Sequence, residues 1–214
     1  MKRLLLFISL LIPISLVAED TDLPKEGDVE EYSLQREKSS SKTVEFLSNN
    51  SIFIKKEFYD LPDIGRGANK IESEVVILTD LTTNKKIGCV RLNTRSNLKS
   101  PNYRRLGFFR DRYTGVIDYE ELDDCIGCLE TIQSEISETT PETYTELIYS
   151  SFDGVKLGAY SDLEYGYSTK WTWTTFVKTN EFYIESNAIV KEKDFPQLIQ
   201  ILRDAKGFIS SKIN

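Results

Sequence analysis

The chain of 214 residues contains no histidine, only three cysteines, one methionine and two tryptophans. Each scarcity removes chemistry. Without histidine the commonest general base is missing, and so is every Ser-His or Cys-His nucleophile system. A zinc site needs two further ligands beside a Cys-x-x-Cys pair, and only Cys89 stands outside the pair Cys125 and Cys128, so no metal is expected. A glycine-rich phosphate loop is also lacking. Basic residues do not dominate: 27 Lys and Arg face 34 Asp and Glu. That balance argues against a nucleic-acid partner, whose affinity comes largely from cationic side chains. Carboxylate pairs alone can hydrolyse glycosides, but among 34 acids no pair is singled out. No catalytic residue and no cofactor is assigned.

A long apolar run occurs once, at the start. Lys2 and Arg3 precede the apolar stretch Leu4 to Val17, and Ala18 gives way to Glu19, Asp20, Thr21 and Asp22. This is the layout of a secretory signal peptide over residues 1–18. Fourteen residues broken by Ser9, Pro13 and Ser15 fall short of the roughly 20 that span a bilayer. No later stretch approaches that length, so the expected location is extracytoplasmic, periplasmic or secreted, with no transmembrane segment in the mature chain. Loss of Lys2 and Arg3 takes the net charge from −7 to −9, which favours solubility. Residues 19–43 are polar and read as a mobile leader, since they cannot bury enough surface to offset ordering. Residues 44–214 then form a single domain.

Within that domain the apolar pattern alternates between the two periods. Residues 51–59, 71–81 and 87–93 read as strands, with a turn at Thr82 to Lys85. Residues 119–136 switch to helical spacing, and Pro141 follows as a stop. Residues 144–150 and 155–160 form a hairpin around Phe152, Asp153 and Gly154, and 171–178 with 182–190 form another. A closing helix begins near Asp194, an N-cap residue with Gln197 three positions on. An echo links the halves 44–138 and 143–211. Lys86, Ile87, Gly88 recur as Lys156, Leu157, Gly158. The helix positions Leu122, Cys125, Ile126, Cys128, Leu129, Ile132 and Ile136 recur as Phe195, Leu198, Ile199, Ile201, Leu202, Ala205 and Ile209. The fold class is α+β: an antiparallel sheet of six or seven strands covered by two helices, built as two similar hairpin-plus-helix halves.

Phe46 and Leu47, the run Ile52 to Pro62, and Ile117, Asp118, Tyr119, Glu120, Glu121, Leu122 leading into a helix resemble a loose group of short, uncharacterised bacterial proteins with signal peptides. The resemblance implies export and an α+β fold, and implies no activity.

Cys125 and Cys128 have the spacing of redox and zinc sites, yet they coincide with the apolar Leu198 and Ile201 of the second half. Their positions therefore have a packing explanation, and Cys125 lies about a turn inside its helix rather than at the N-terminus that activates a thiol. Cys89, Cys125 and Cys128 remain disulfide candidates, a link from Cys89 tying a hairpin to the helix above it.

Charge is segregated. Residues 91–113 hold Arg91, Arg95, Lys99, Arg104, Arg105, Arg110 and Arg112 against Asp111 alone, while residues 116–146 hold ten acids and no base. Pairing of the two segments is the plainest expectation, each exposed pair contributing about 1 kcal/mol or less. The functional alternative is a basic, aromatic surface of Tyr103, Arg104, Arg105, Phe108, Arg110 and Arg112. It would receive an anionic glycan, a lipid head group or an envelope protein, because the guanidinium fork matches carboxylate and phosphate. Tyr160, Tyr165, Tyr167, Trp171 and Trp173 make a second aromatic group. Alternation puts both tryptophans on one strand face, as core or as a stacking platform. The leading expectation is a non-catalytic binding module using Arg104 and its neighbours or Tyr165 and Tyr167. The alternatives are an extracytoplasmic hydrolase using carboxylates and a thiol-dependent envelope protein.

Overall fold

In the computed structural model, residues 41–48, 53–95, 112–163 and 170–214 are described. Among the described residues, eight strands form two sheets. β1 (Ile54–Asp60), β2 (Glu72–Asp80), β3 (Lys86–Arg95) and β4 (Arg112–Asp118) make the first, and β5 (Glu146–Ser150), β6 (Lys156–Leu163), β7 (Trp171–Lys178) and β8 (Asn187–Val190) the second. Each is an antiparallel meander whose spatial order equals its sequence order. Three α-helices accompany them among the described residues: α1 (Lys42–Ser48), α2 (Leu122–Glu138) after the first sheet, and α3 (Phe195–Ile213) after the second. The α+β class is as expected, but two four-stranded sheets replace the single sheet of six or seven strands, and a third helix is added. The extra strand β4 lies where the sequence shows only a short approach to a helix. Of residues 182–190 only Asn187–Val190 is strand, because Ile184–Ser186 winds into a 3-10 turn first.

Local chemistry accounts for the hairpins. Between β2 and β3 the Asp80 carboxylate accepts the backbone N–H of Thr82 at 2.7 Å, and Asn84 supplies the left-handed residue at φ +60°. Between β5 and β6, Gly154 takes φ +83°, a value glycine adopts without strain. Helix starts differ from expectation. Asp194 makes no side-chain cap bond, since it already has helical dihedrals at the end of the 3-10 turn Glu192–Asp194. The capping box belongs instead to Asp118 and Glu121, which open the turn leading into α2.

The helices cross over. α2, from the first half, packs across β5 and β6 of the second sheet, while α3, from the second half, packs across β2 and β3 of the first, and the two helices touch each other. The main core lies between these layers and joins Val75, Ile77, Val90 and Leu92 to Leu157, Val177 and the buried faces of both helices. At the echoed positions Leu122, Cys125, Ile126, Leu129 and Ile132 are buried, and so are their counterparts Phe195, Leu198, Ile199, Leu202 and Ala205. Cys128 departs from the pattern by being exposed where Ile201 is buried.

Each sheet edge nearest the other half is closed by side chains from that half. The N–H of Val116 in β4 donates to Asp153 Oδ2 at 2.9 Å, and its carbonyl accepts from Ser151 Oγ at 3.2 Å. The Tyr113 carbonyl accepts from Thr179 Oγ1 at 3.1 Å, and in β8 the Ile189 N–H reaches Asn69 Oδ1 at 3.4 Å. A strand edge is thereby satisfied without a further strand.

Candidate binding face

The outer faces of the two sheets, turned away from the main core, differ in what covers them. On the first, Val76, Leu78 and Cys89 form a separate small apolar cluster, against which Phe46 of α1 packs with Ile54, Ile87 and Val116. Strand alternation gives the second sheet a comparable outer face. Ile148 of β5 lies opposite Gly158 of β6, which lies opposite Phe176 of β7. Phe176 with Tyr144, Glu146, Tyr160, Asp162, Lys178, Ile184 and Asn187 lines a shallow depression of about 390 Å³ on this face. It stays open, with Tyr144 55 % and Ile184 84 % exposed, while Phe176 at 7 % forms its floor.

The rings of Tyr160 and Phe176 lie 5.8 Å apart at 51°. This tilted pairing buries Phe176 beneath Tyr160, whose ring stays partly exposed. The Tyr144 hydroxyl donates to Glu146 Oε1, and that bond raises the Tyr144 phenol above its ordinary pKa. Burial, and secondarily the Asp162 carboxylate, raise Tyr160 in the same direction. Both phenols are therefore neutral hydroxyls at physiological pH. Lys178 Nζ donates to the Glu181 carbonyl at 3.0 Å. Two carboxylates and one ammonium border the rings, so the face accepts hydrogen bonds from hydroxyl or ammonium groups and does not favour anions.

The basic and aromatic residues named from sequence fare differently. Tyr103, Arg104, Arg105, Phe108 and Arg110 lie outside the described residues, as do Tyr165 and Tyr167. Arg112 is described and pairs with Glu72 at 2.8 Å, a carboxylate that Arg95 also engages. Burial alone would raise the Glu72 pKa, but the Arg95 hydrogen bond and the charges of Arg112 and Arg95 outweigh it and hold the carboxyl low. Arg91 pairs with Glu74 at 2.7 Å and lies 4.7 Å over the Phe58 ring. The described arginines of the basic segment, Arg91, Arg95 and Arg112, thus meet glutamates of β2, not the acidic helix. α2 instead pairs with α3, through Asp123 with Lys206 and Glu130 with Arg203, and Glu120 pairs with Lys42 at 3.0 Å. The 550 Å³ groove between α2 and α3 is lined by Asp123, Lys206 and Arg203, whose charges are already matched in these pairs. Of the basic segment, Arg91, Arg95 and Arg112 turn to β2 rather than to the acidic helix, while Lys99, Arg104, Arg105 and Arg110 lie outside the described residues.

All three cysteines are free thiols. Cys89 faces the α1 side of the first sheet and Cys125 belongs to the main core on the other side, so a strand separates them. Burial pushes the Cys89 thiol up to about 11 and raises Cys125 further in the same direction. Trp173 packs against the main core, its indole N–H donating to the Thr139 carbonyl at 3.1 Å.

A buried polar seam that sequence reasoning did not single out joins the halves. Asp118 accepts the N–H of Lys42 at 2.6 Å and of Thr43 at 3.2 Å, with the Ser41 hydroxyl at 3.2 Å and the Thr43 hydroxyl at 2.6 Å. Glu121 accepts the N–H of Asp118 at 3.1 Å and of Phe152 at 2.8 Å, and the Tyr149 hydroxyl at 3.2 Å. Burial raises the pKa of Glu121 and of Asp153 despite these donors. The Asp-x-x-Glu spacing before an apolar run was the available signal for the first two; nothing in the sequence marks Asp153. Backbone donors occupy the lone pairs of these acids, so the seam fastens segments together. Among the described residues no group of three potential ligands could hold a metal ion, and no helix is long and apolar enough to cross a membrane. No protein-family model, no curated protein and no solved structure matches the chain.

Proposed function

We propose that the chain is an exported, non-catalytic binding module whose contact surface is the outer face of the second sheet, and that its ligand is an uncharged saccharide. The carrying observation is the pair of accessible rings, half-buried Tyr160 and exposed Tyr144, over a buried floor of Phe176, with Glu146 and Asp162 beside them. A pyranose presents one apolar C–H face and a rim of hydroxyls. Aromatic rings receive the first and carboxylates the second. Two carboxylates against one lysine disfavour an anionic glycan or a lipid head group at this face. The shared order of four strands and a helix supports reading residues 44–138 and 143–211 as two similar halves. Neither alternative gains an observation. The buried carboxylates are taken up by backbone donors, and Cys125 is buried with a raised pKa.

The test is a titration of neutral and acidic oligosaccharides against the full chain, followed by thermal shift and by ligand-observed NMR. A neutral saccharide binds, and the Tyr144→Ala, Tyr160→Ala double variant weakens it about tenfold or more, since two stacked rings contribute about 1–3 kcal/mol. Binding that survives the double variant, exclusive binding of acidic glycans, or capture of a protein without any saccharide response overturns the reading.

A further inference from the structure

Besides the exposed Lys42–Glu120 ion pair, the segment Ser41 to Ser48 is attached to the domain by two small sets of contacts. At one end, a single carboxylate, Asp118, takes four donors from Ser41, Lys42 and Thr43. At the other, the Phe46 ring packs on the apolar strip of Val76, Leu78 and Cys89, while Val44 and Leu47 are 48 % and 40 % exposed. A seven-residue helix is far below the length that is stable by itself in water, so α1 exists only while docked. The strip under it is a cluster separate from the main core, which lies on the opposite face of the same sheet. Undocking α1 therefore exposes Cys89 and its apolar neighbours and leaves the packing of α2 and α3 untouched.

We propose that residues 41–48 form a clasp that opens and closes as a unit over the outer face of the first sheet, with Asp118 as its polar anchor and Cys89 as the group it uncovers. Local units of this kind open with far less free energy than the whole domain when they bury few apolar groups. The clasp governs access to an apolar strip on the first sheet, independently of the saccharide face on the second.

The three thiols report on the proposal directly. Cys128 is exposed, Cys89 is under the clasp, and Cys125 is in the main core. Pulse labelling of the native full chain with N-ethylmaleimide, read by mass spectrometry at each cysteine, should give the order Cys128, then Cys89, then Cys125. The Ser41→Ala, Thr43→Val variant removes two hydroxyl donors to Asp118 without touching the Glu121 capping box. It should accelerate Cys89 about tenfold or more and leave Cys125 unchanged. Phe46→Ala, which weakens the other end, should do the same. A common rate for Cys89 and Cys125 in the native chain, or variants that move the two thiols together, means that Cys89 is reached only through global unfolding and overturns the proposal. Variants that leave the Cys89 rate unchanged overturn it too, because the segment would then not be what covers the thiol.

Discussion

At the scale of single residues, three acids set the pH response. Glu121 and Asp153 are held above their ordinary pKa by burial, whereas Glu72 is held below it by Arg95 and Arg112. An acid with a raised folded pKa takes up its proton first in the folded state, so its contribution to stability grows as pH falls through that interval. Glu72 acts in the opposite sense: its contribution is present above the unfolded value and disappears as pH falls through the lower folded one. The urea midpoint should therefore rise as pH is lowered from neutrality toward about 4.5, and fall again below about 4 as Glu72 releases its arginines. In Glu121→Gln the rise should shrink to the share of Asp153. A midpoint that falls steadily from pH 7 downward would contradict this assignment. Of these groups Glu72 and Arg112 are plain in the sequence as charged residues, but their pairing is not: Glu72 is 40 residues from its partner, and only the β2–β3–β4 order brings them together.

Elements meet through places where a side chain is missing. Gly88 in β3 lies under Ile209 of α3, whose Cγ2 atom occupies the space a methyl group would need. Gly158, its echo in β6, is close instead to the backbone of β5 at Leu147. Two glycines at matching sequence positions thus serve different contacts, one between strand and helix and one between strands. Gly88→Ala should cost about 1–3 kcal/mol through overpacking. Combined with Ile209→Ala, which itself opens a cavity, the loss should be clearly smaller than the two single losses together, as expected for residues in direct contact. Denaturation midpoints of the four proteins in the cycle decide the matter, and strict additivity would refute the contact. The apolar spacing of 119–136 made α2 legible because its period is carried by consecutive residues. β4 was not legible, because Arg112 to Val116 alternates weakly and its partners Cys89 to Arg95 are distant in sequence. α1 escaped for a similar reason: its stability comes from Asp118, more than 70 residues away.

For the whole molecule, the decisive feature is the exchange of helices. α2 buries its apolar face on the second sheet and α3 on the first, so each half supplies the cover the other needs. Fragments 41–138 and 143–214, prepared separately, should lack dispersed amide resonances and a cooperative transition, and mixing them should restore both. A separately folded fragment would show that each helix can serve its own sheet. The sequence by itself determined the class of elements, the acidic charge, the absence of histidine chemistry and most core positions, since periodicity and composition are local properties of the chain. Tertiary structure alone decided that the strands divide into two sheets, that Arg91, Arg95 and Arg112 pair with β2, that Cys89 and Cys125 lie on opposite sides of a sheet, and which aromatic face is open. Those outcomes depend on which distant segments pack together, and the free energy of that choice resides in contacts between residues that no short window of sequence contains.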